Sequence, residues 1–251
     1  MNLMLHCGAR HVSWDELRKV NTPAPTRTHR PVPHHDLNNM VKRVMEENGL
    51  KVTESQHGIT KEGNRYCGLM QLESGLLDWA PVVGLRNSHD KSMTAGLVFG
   101  LSVFVCDNLS FYGDLLRFDR KHTAHIRKDL IDKIRAIIRK TDQQNKRMEH
   151  TVDYYKSVLL SDRKAHHMVV KALDGGATLP RRLPQVLDEW RKPRHQEIEP
   201  RTAWSLFNAF TESMKSAGDI GTHVGRTSRL HRVFDEELKT DKYLDEVAFS
   251  V

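Results

Sequence analysis

Two short polar strings in the 251-residue sequence carry side chains that could do chemistry. Arg86-Asn87-Ser88-His89-Asp90-Lys91 sits between two apolar runs, and Arg117-Phe118-Asp119-Arg120-Lys121-His122-Thr123 stands just ahead of a long helical pattern. Both are rich in donors suited to an anion: guanidinium and ammonium groups neutralise phosphate, and the free N–H groups of a helix start add to them. Asn87, Ser88 and Asp90 are also residue types that simply build a turn, and Thr123 is one that simply caps a helix.

Charge placement separates the two strings from their surroundings. The chain holds 39 Lys+Arg against 32 Asp+Glu, a formal charge of +7. Between Arg117 and Arg147, eleven basic residues meet four acidic ones, so those 31 residues carry the whole imbalance. Lys128, Arg135, Arg139 and Lys146 recur at intervals of seven, four and seven, which places them on one helix face, opposite an isoleucine stripe. Such a face suits a phosphate backbone, and it also suits plain solvent. The candidate nucleic-acid contacts are Arg86, Asn87, His89 and Lys91 from the first string, then Arg117, Arg120, Lys121, His122, Arg127, Lys128, Arg135, Arg139 and Lys146.

Other chemistries find less support. No phosphate-binding GxxxxGK[ST], no strand-linked GxGxxG, no GxSxG and no HExxH occurs, and the pairs His34-His35, His122/His125 and His166-His167 lack accompanying ligands at metal-site spacing. No metal or cofactor is expected. Asp90, His89, Asp107 and His122 could serve a nuclease, but without metal-spaced carboxylates that stays the weakest alternative. Cys106 ends an apolar strand, where a buried inert thiol is the expected state. Cys7, Cys67 and Cys106 are odd in number and widely spaced, which argues against a disulfide framework and for a reducing, cytoplasmic setting. The N-terminus lacks the pattern of a secretory signal, and the longest apolar run, Thr94 to Cys106, is well short of the ~20 residues a membrane span needs.

The elements that must position these groups divide the chain into an extension and Pro-rich connector (1–35), an α+β core (36–160) and a helical region (161–251). Asp36 can cap a helix with Leu37, Met40, Val41 and Val44 on one face, ending at Asn48-Gly49. Lys51–His57 and Arg65–Leu72 predict one hairpin, Trp79–Arg86 and Thr94–Cys106 a second, in a sheet of three to five antiparallel strands. From Thr123, an apolar stripe running to Leu159 predicts a helix of about 55 Å at 1.5 Å per residue, which either continues or breaks through the polar Thr141–Arg147. Shorter helices follow near 162–173, 183–191, 202–216 and 228–239. The fold class is α+β: an antiparallel hairpin sheet, then a long basic helix, then a set of shorter helices.

Val83-Gly-Leu-Arg-Asn-Ser-His-Asp-Lys-Ser92, Phe104-Val-Cys-Asp-Asn-Leu109 and Arg120-Lys-His-Thr123, in that order, resemble a phage- and plasmid-associated family of unknown function, domain-of-unknown-function family 932, over roughly residues 36–160. The resemblance implies a mobile-element protein that processes or protects DNA and transfers no catalytic residue. A hairpin sheet followed by a long basic helix is also similar in architecture to single-strand annealing proteins of the Red-beta and RecT type, a fold-level analogy. The expected function is therefore a non-enzymatic nucleic-acid-binding protein, with single-stranded DNA the favoured partner and a recombination role as a homo-oligomer. The alternative is an interaction or inhibitor protein that binds a host or phage protein through Trp190, Trp204, Phe207, Phe210 and Phe234 of the C-terminal helices, although packing against the chain's own sheet is the commoner use of such residues.

Overall fold

A computed structural model describes residues 9–60, 62–75, 79–103, 108–111, 117–121, 126–215 and 220–248. Its framework is a seven-stranded antiparallel sheet. Strands β1 (Arg10–Val12), β2 (Val52–Ile59), β3 (Arg65–Leu72), β4 (Trp79–Ser88) and β5 (Ala95–Val103) neighbour one another in sequence order. The far side of β5 is shared: β6 (Asn108–Phe111) pairs with Gly100–Val103 and β7 (Arg117–Arg120) with Ala95–Val98. Both hairpins form where the short apolar, β-branched runs and intervening polar turns predict them. The expected three to five strands miss β1, β6 and β7, which are three or four residues long. Within the N-terminal extension, β1 pairs with β2, and α1 (Trp14–Arg18) follows it directly.

Helix α1 starts with a reciprocal cap: Ser13 Oγ accepts from the Glu16 amide at 3.2 Å while a Glu16 carboxylate oxygen accepts from the Ser13 amide at 2.8 Å. Helix α2 spans His34–Glu47, so it begins at Pro33 rather than at Asp36, which lies in the first turn. Pro33 has its backbone φ preset near the helical value, and the preceding Val32 is tied to the sheet, so both sides of the junction fix the start without a side-chain cap. The helix ends as expected at Asn48, with Gly49 at φ +83 and its N–H bonded to Glu46 O at 3.1 Å.

Helix α3, Ile126–Ser157, is one uninterrupted run of 32 residues, about 48 Å at 1.5 Å per residue. The polar middle does not break it, because Thr141–Arg147 contains neither Gly nor Pro and is flanked by buried anchors: Ile134 and Ile138 before it, Val152 and Tyr155 after it. Thr123 lies outside the described residues, and at the other end the apolar stripe stops short of Leu159, which is 74% exposed beyond the last turn.

The shorter helices are α4 (Asp162–Asp174), α5 (Leu183–Arg191), α6 (Ala203–Ser213), α7 (Ile220–Leu238) and α8 (Thr240–Ala248). Helix α7 starts well before the expected 228, since contacts with β6 outweigh the poor helix propensity of Gly221 and Gly225. On the side of β6 away from β5, His223 Nε2 bonds to Leu109 O at 2.8 Å and Thr227 Oγ1 accepts from the Phe111 amide at 3.2 Å. The ladder groups that an edge strand would leave bare are thus satisfied by helix side chains.

One face of the sheet, with Tyr66, Met70, Val83, Leu85, Leu97 and Phe99, shares a continuous core with α2, α3 and the C-terminal helices. The opposite face holds a smaller cluster around Cys67, Leu69, Val82, Val98 and Phe111, with Val224 of α7 joining it. There Gly84 and Gly100 make room for Phe111. A Cβ on Gly84 would lie 2.9 Å from the Phe111 ring, and one on Gly100 would lie 2.1 Å from the backbone oxygen of Ser110. The strand glycine at 100 therefore marks a close backbone approach, as its place in an apolar run suggests.

Candidate functional site

The turn after β4 folds inward. Asn87 is fully buried: its Nδ2 donates to Val32 O at 2.8 Å and to His34 Nδ1 at 2.9 Å. His34 in turn bonds through Nε2 to Gly63 O at 2.9 Å, and His89 bonds through Nε2 to Val32 O at 3.0 Å. Burial holds the His89 imidazole below its ordinary pKa, although the bond to Val32 O works the other way. This network ties the Pro-rich connector and the start of α2 to the sheet. Asn87 and His89 are thereby removed from surface contact with a nucleic acid, a correction to the expectation from their types. Asn87 Nδ2 and His89 Nε2 are satisfied by His34 and the Val32 carbonyl, whereas Asn87 Oδ1 is buried with no hydrogen-bond partner among the described residues.

The remaining turn residues divide. Ser88 Oγ accepts from the Met93 amide at 3.1 Å and donates to Met93 O at 2.8 Å. Asp90 accepts from Arg65 Nε at 3.0 Å and from the Ser92 amide at 2.9 Å. Burial pushes the Asp90 carboxyl up, but the Ser92 and Arg65 hydrogen bonds prevail and bring its pKa down to about 2. Asp90 is thus a turn-forming carboxylate. Lys91 is exposed, with φ +63, and Arg86 is half-buried with Nη2 donating to Thr94 Oγ1 at 3.2 Å.

The basic segment keeps its surface character where it is described. Lys121, Lys128, Arg135 and Lys146 are exposed. Arg117 and Arg120 occupy β7, and Arg127 and Arg139 occupy α3; their side chains, and all of His122, lie outside the described residues. At 100° per residue, Lys128, Arg135 and Lys146 point within about 20° of one another, and the buried Ile134, Ile138 and Val152 lie about 80–120° away. The stripe therefore flanks the core side rather than opposing it, and it runs beside α2: Arg135 reaches Glu47 at 3.8 Å, half exposed. Farther along, Arg147 pairs with Asp241 of α8. Exposed pairs of this kind contribute little and release readily to a polyanion.

A third feature had no clear sequence signal. Between α1, α2 and β2 lies a cavity of about 670 Å³ lined by Trp14, Arg18, Asn38, Lys42, Ser55 and His57, together with His35 and Asn39. Its wall is a buried relay: Asn38 Nδ2 donates to Tyr66 Oη at 2.9 Å, and Tyr66 Oη lies 3.1 Å from His57 Nδ1. Burial, aided by His11, pulls the His57 pKa down to about 4, and burial raises that of Tyr66 despite the Asn38 bond. The ring is neutral at pH 7. With Tyr66 Oη already accepting from Asn38, its hydroxyl donates to His57 Nδ1, leaving His57 Nε2–H as a donor and Asn38 Oδ1 as an acceptor. The only advance sign was the i, i+3, i+4, i+7 spacing of His35, Asn38, Asn39 and Lys42 on one polar strip of α2.

The groups considered for other activities are placed less favourably. His89 is buried, Asp90 belongs to the turn, and Cys106, Asp107 and His122 lie outside the described residues. Trp190, Trp204, Phe207, Phe210 and Phe234 are all within the core. Among the described residues, no group of three or more His, Cys, Asp or Glu side chains is gathered as a metal site would need, and no helix is long and apolar enough to cross a membrane.

A family model described as Domain of unknown function (DUF932) matches residues 24–241. The chain belongs to the DUF932 family. The DUF932 match takes in the connector, the sheet from β2 onward, the basic helix and the C-terminal helices, a wider span than the 36–160 stretch that carries the sequence resemblance. That width agrees with the continuous core linking sheet and C-terminal helices. No curated protein gives a match, and no solved structure does.

Proposed function

We propose that this DUF932 protein binds nucleic acid, single-stranded DNA above all, along the exposed basic stripe of α3, as a phage or plasmid protein. The observation that carries the reading is the continuity of α3 together with the exposure of Lys128, Arg135 and Lys146, about 27 Å from first to last along one stripe. Cations recurring on one face of a rigid helix match a phosphate backbone without reading sequence. Action in the cytoplasm as a homo-oligomer in recombination belongs to the same proposal. The other partner class, a host or phage protein held by C-terminal aromatic residues, loses support because those residues are buried.

A mobility-shift titration of a single-stranded oligonucleotide at several salt concentrations tests the proposal. Three phosphate contacts give a log–log slope of about −2, at ~0.7 per contact for a single strand. Binding that is absent at low salt, or that shows no salt slope, overturns it.

A further inference from the structure

The α1/α2/β2 cavity takes no part in the basic stripe, and its chemistry is distinct. At about 670 Å³ it falls within the ~300–1,000 Å³ range of small-molecule sites. Its lining combines one aromatic ring, two cations and several amide or imidazole groups; none of the described lining residues is acidic. Trp14 is half-buried and sits 5.5 Å from the His57 ring, leaving an indole surface at the cavity wall. Arg18 is exposed and Lys42 half-buried, the latter with only a loose 3.8 Å pair to Glu46 on its own helix. His57 and Asn38 are fixed by Tyr66, so a donor and an acceptor are held ready without loss of side-chain freedom on binding.

A planar base needs an aromatic surface and paired donor and acceptor groups, and a phosphate needs cations at the rim. We propose that this cavity is a nucleotide site: the base lies against Trp14 with its edge toward His57 and Asn38, and the phosphate lies between Arg18 and Lys42. The ligand is either a free nucleoside monophosphate or an unpaired nucleotide of a strand; the chemistry is shared. The inference stands independently of the α3 stripe, since the site could be filled in a protein that binds no strand.

Tryptophan fluorescence is the direct readout, because Trp79, Trp190 and Trp204 are buried at 2%, 0% and 5% exposure and only Trp14 borders the cavity. Adenosine, guanosine, cytidine and uridine 5′-monophosphates are each titrated into the full chain, followed by a short single-stranded oligodeoxynucleotide. Quenching with a Kd of about 1 mM or tighter is expected for at least one probe. The double variant Arg18→Glu/Lys42→Glu, altered at surface positions, weakens that binding about ten-fold or more while circular dichroism stays unchanged. Trp14→Phe keeps an apolar ring, so it abolishes the quench yet retains binding by calorimetry. Binding of a monophosphate assigns the site to free nucleotides, and quenching by the oligonucleotide alone assigns it to a strand. No quenching by any probe, a double variant that binds like the wild type, or a quench that survives in Trp14→Phe overturns the proposal. A stripe variant leaves the monophosphate readouts unchanged, so failure here and failure of strand binding on α3 are separate results.

Discussion

His34 and His89 lie ring on ring, with centroids 3.9 Å apart and planes within 3° of parallel. Fifty-five residues separate them in sequence, and Asn87 and the Val32 carbonyl close the contact on the connector side. Such a stack tolerates two neutral imidazoles and penalises two charged ones, so it works as a fastener of α2 to the sheet rather than as a ligand site.

Replacing Asn87 with Ala leaves His34 Nδ1 without its donor inside the protein. The expected loss is about 1–3 kcal/mol in urea denaturation. Affinity for a single strand in the folded variant stays at the wild-type value, because Asn87 is buried. A folded Asn87→Ala protein with weakened strand binding would contradict the structural role.

Acid weakens the fold through its buried imidazoles. His57, His223 and His231 are each pulled from 6.5 to about 4 by burial, as the leading cause in every case. Between those values the unfolded chain takes up protons that the folded one refuses, so stability declines as pH falls from 6.5 toward 4. Each ring contributes about 1.4 kcal/mol per pH unit. Asp235 opposes this, since burial raises it from 3.8 to about 6 and makes the folded state the better proton acceptor in that window. Three rings against one carboxyl leave a net loss. Urea midpoints that are flat or rising from pH 6 to 4.5 would contradict this.

Lys128→Glu with Lys146→Glu reverses two exposed charges without touching the core. Oligonucleotide affinity falls, and the salt slope shrinks by roughly 1.4 in magnitude, at ~0.7 per lost contact. Thermal unfolding stays within about 0.5 kcal/mol of wild type. An unchanged slope places the binding surface elsewhere.

The two glycines beside Phe111 predict opposite responses to a second substitution. Gly84→Ala collides with the Phe111 ring, a side chain that Phe111→Leu shortens, so the pair together is more stable than the sum of the single losses. Gly100→Ala meets the Ser110 backbone oxygen at 2.1 Å, and it costs about 3 kcal/mol or more whatever stands at 111. Equal rescue of both by Phe111→Leu in denaturation curves would falsify this distinction.

A chain ending at Leu160 does not fold cooperatively. It lacks Phe207, Phe210 and Phe234, each no more than 1% exposed, and the α7 side chains that bond to β6. Proteolysis and urea titration of the truncated chain are expected to show no cooperative transition.

Much of this architecture is legible in the sequence because it rests on local signals. The two hairpins follow from β-branched, aromatic-rich runs bounded by turn residues, and α2 and α3 from their apolar spacing. Strands β1 and β7 are illegible for the opposite reason: they are too short to carry a pattern and exist only through pairing with β2 and β5. The exposure of Lys128, Arg135 and Lys146 is readable from helical periodicity. The burial of Asn87 and His89 is not, because turn residues that face water and turn residues that fasten a distant connector have the same composition. The α1/α2/β2 cavity is hidden likewise, since Trp14, Lys42 and His57 come from three separate elements.

The borders of the sheet bear on how copies of this chain could meet. On one side stands a strand of only three residues; on the other, β6 and β7 share the flank of β5 with Phe99 at the gap, and α7 occupies the outer groups of β6. On the first side β1 reaches only His57–Ile59, so the outer edge of β2 from Val52 to Gln56 lies beyond the described ladder. A second copy that extended the sheet through its described edges would thus meet the Val52–Gln56 stretch of β2, because the outer groups of β6 are already taken by α7.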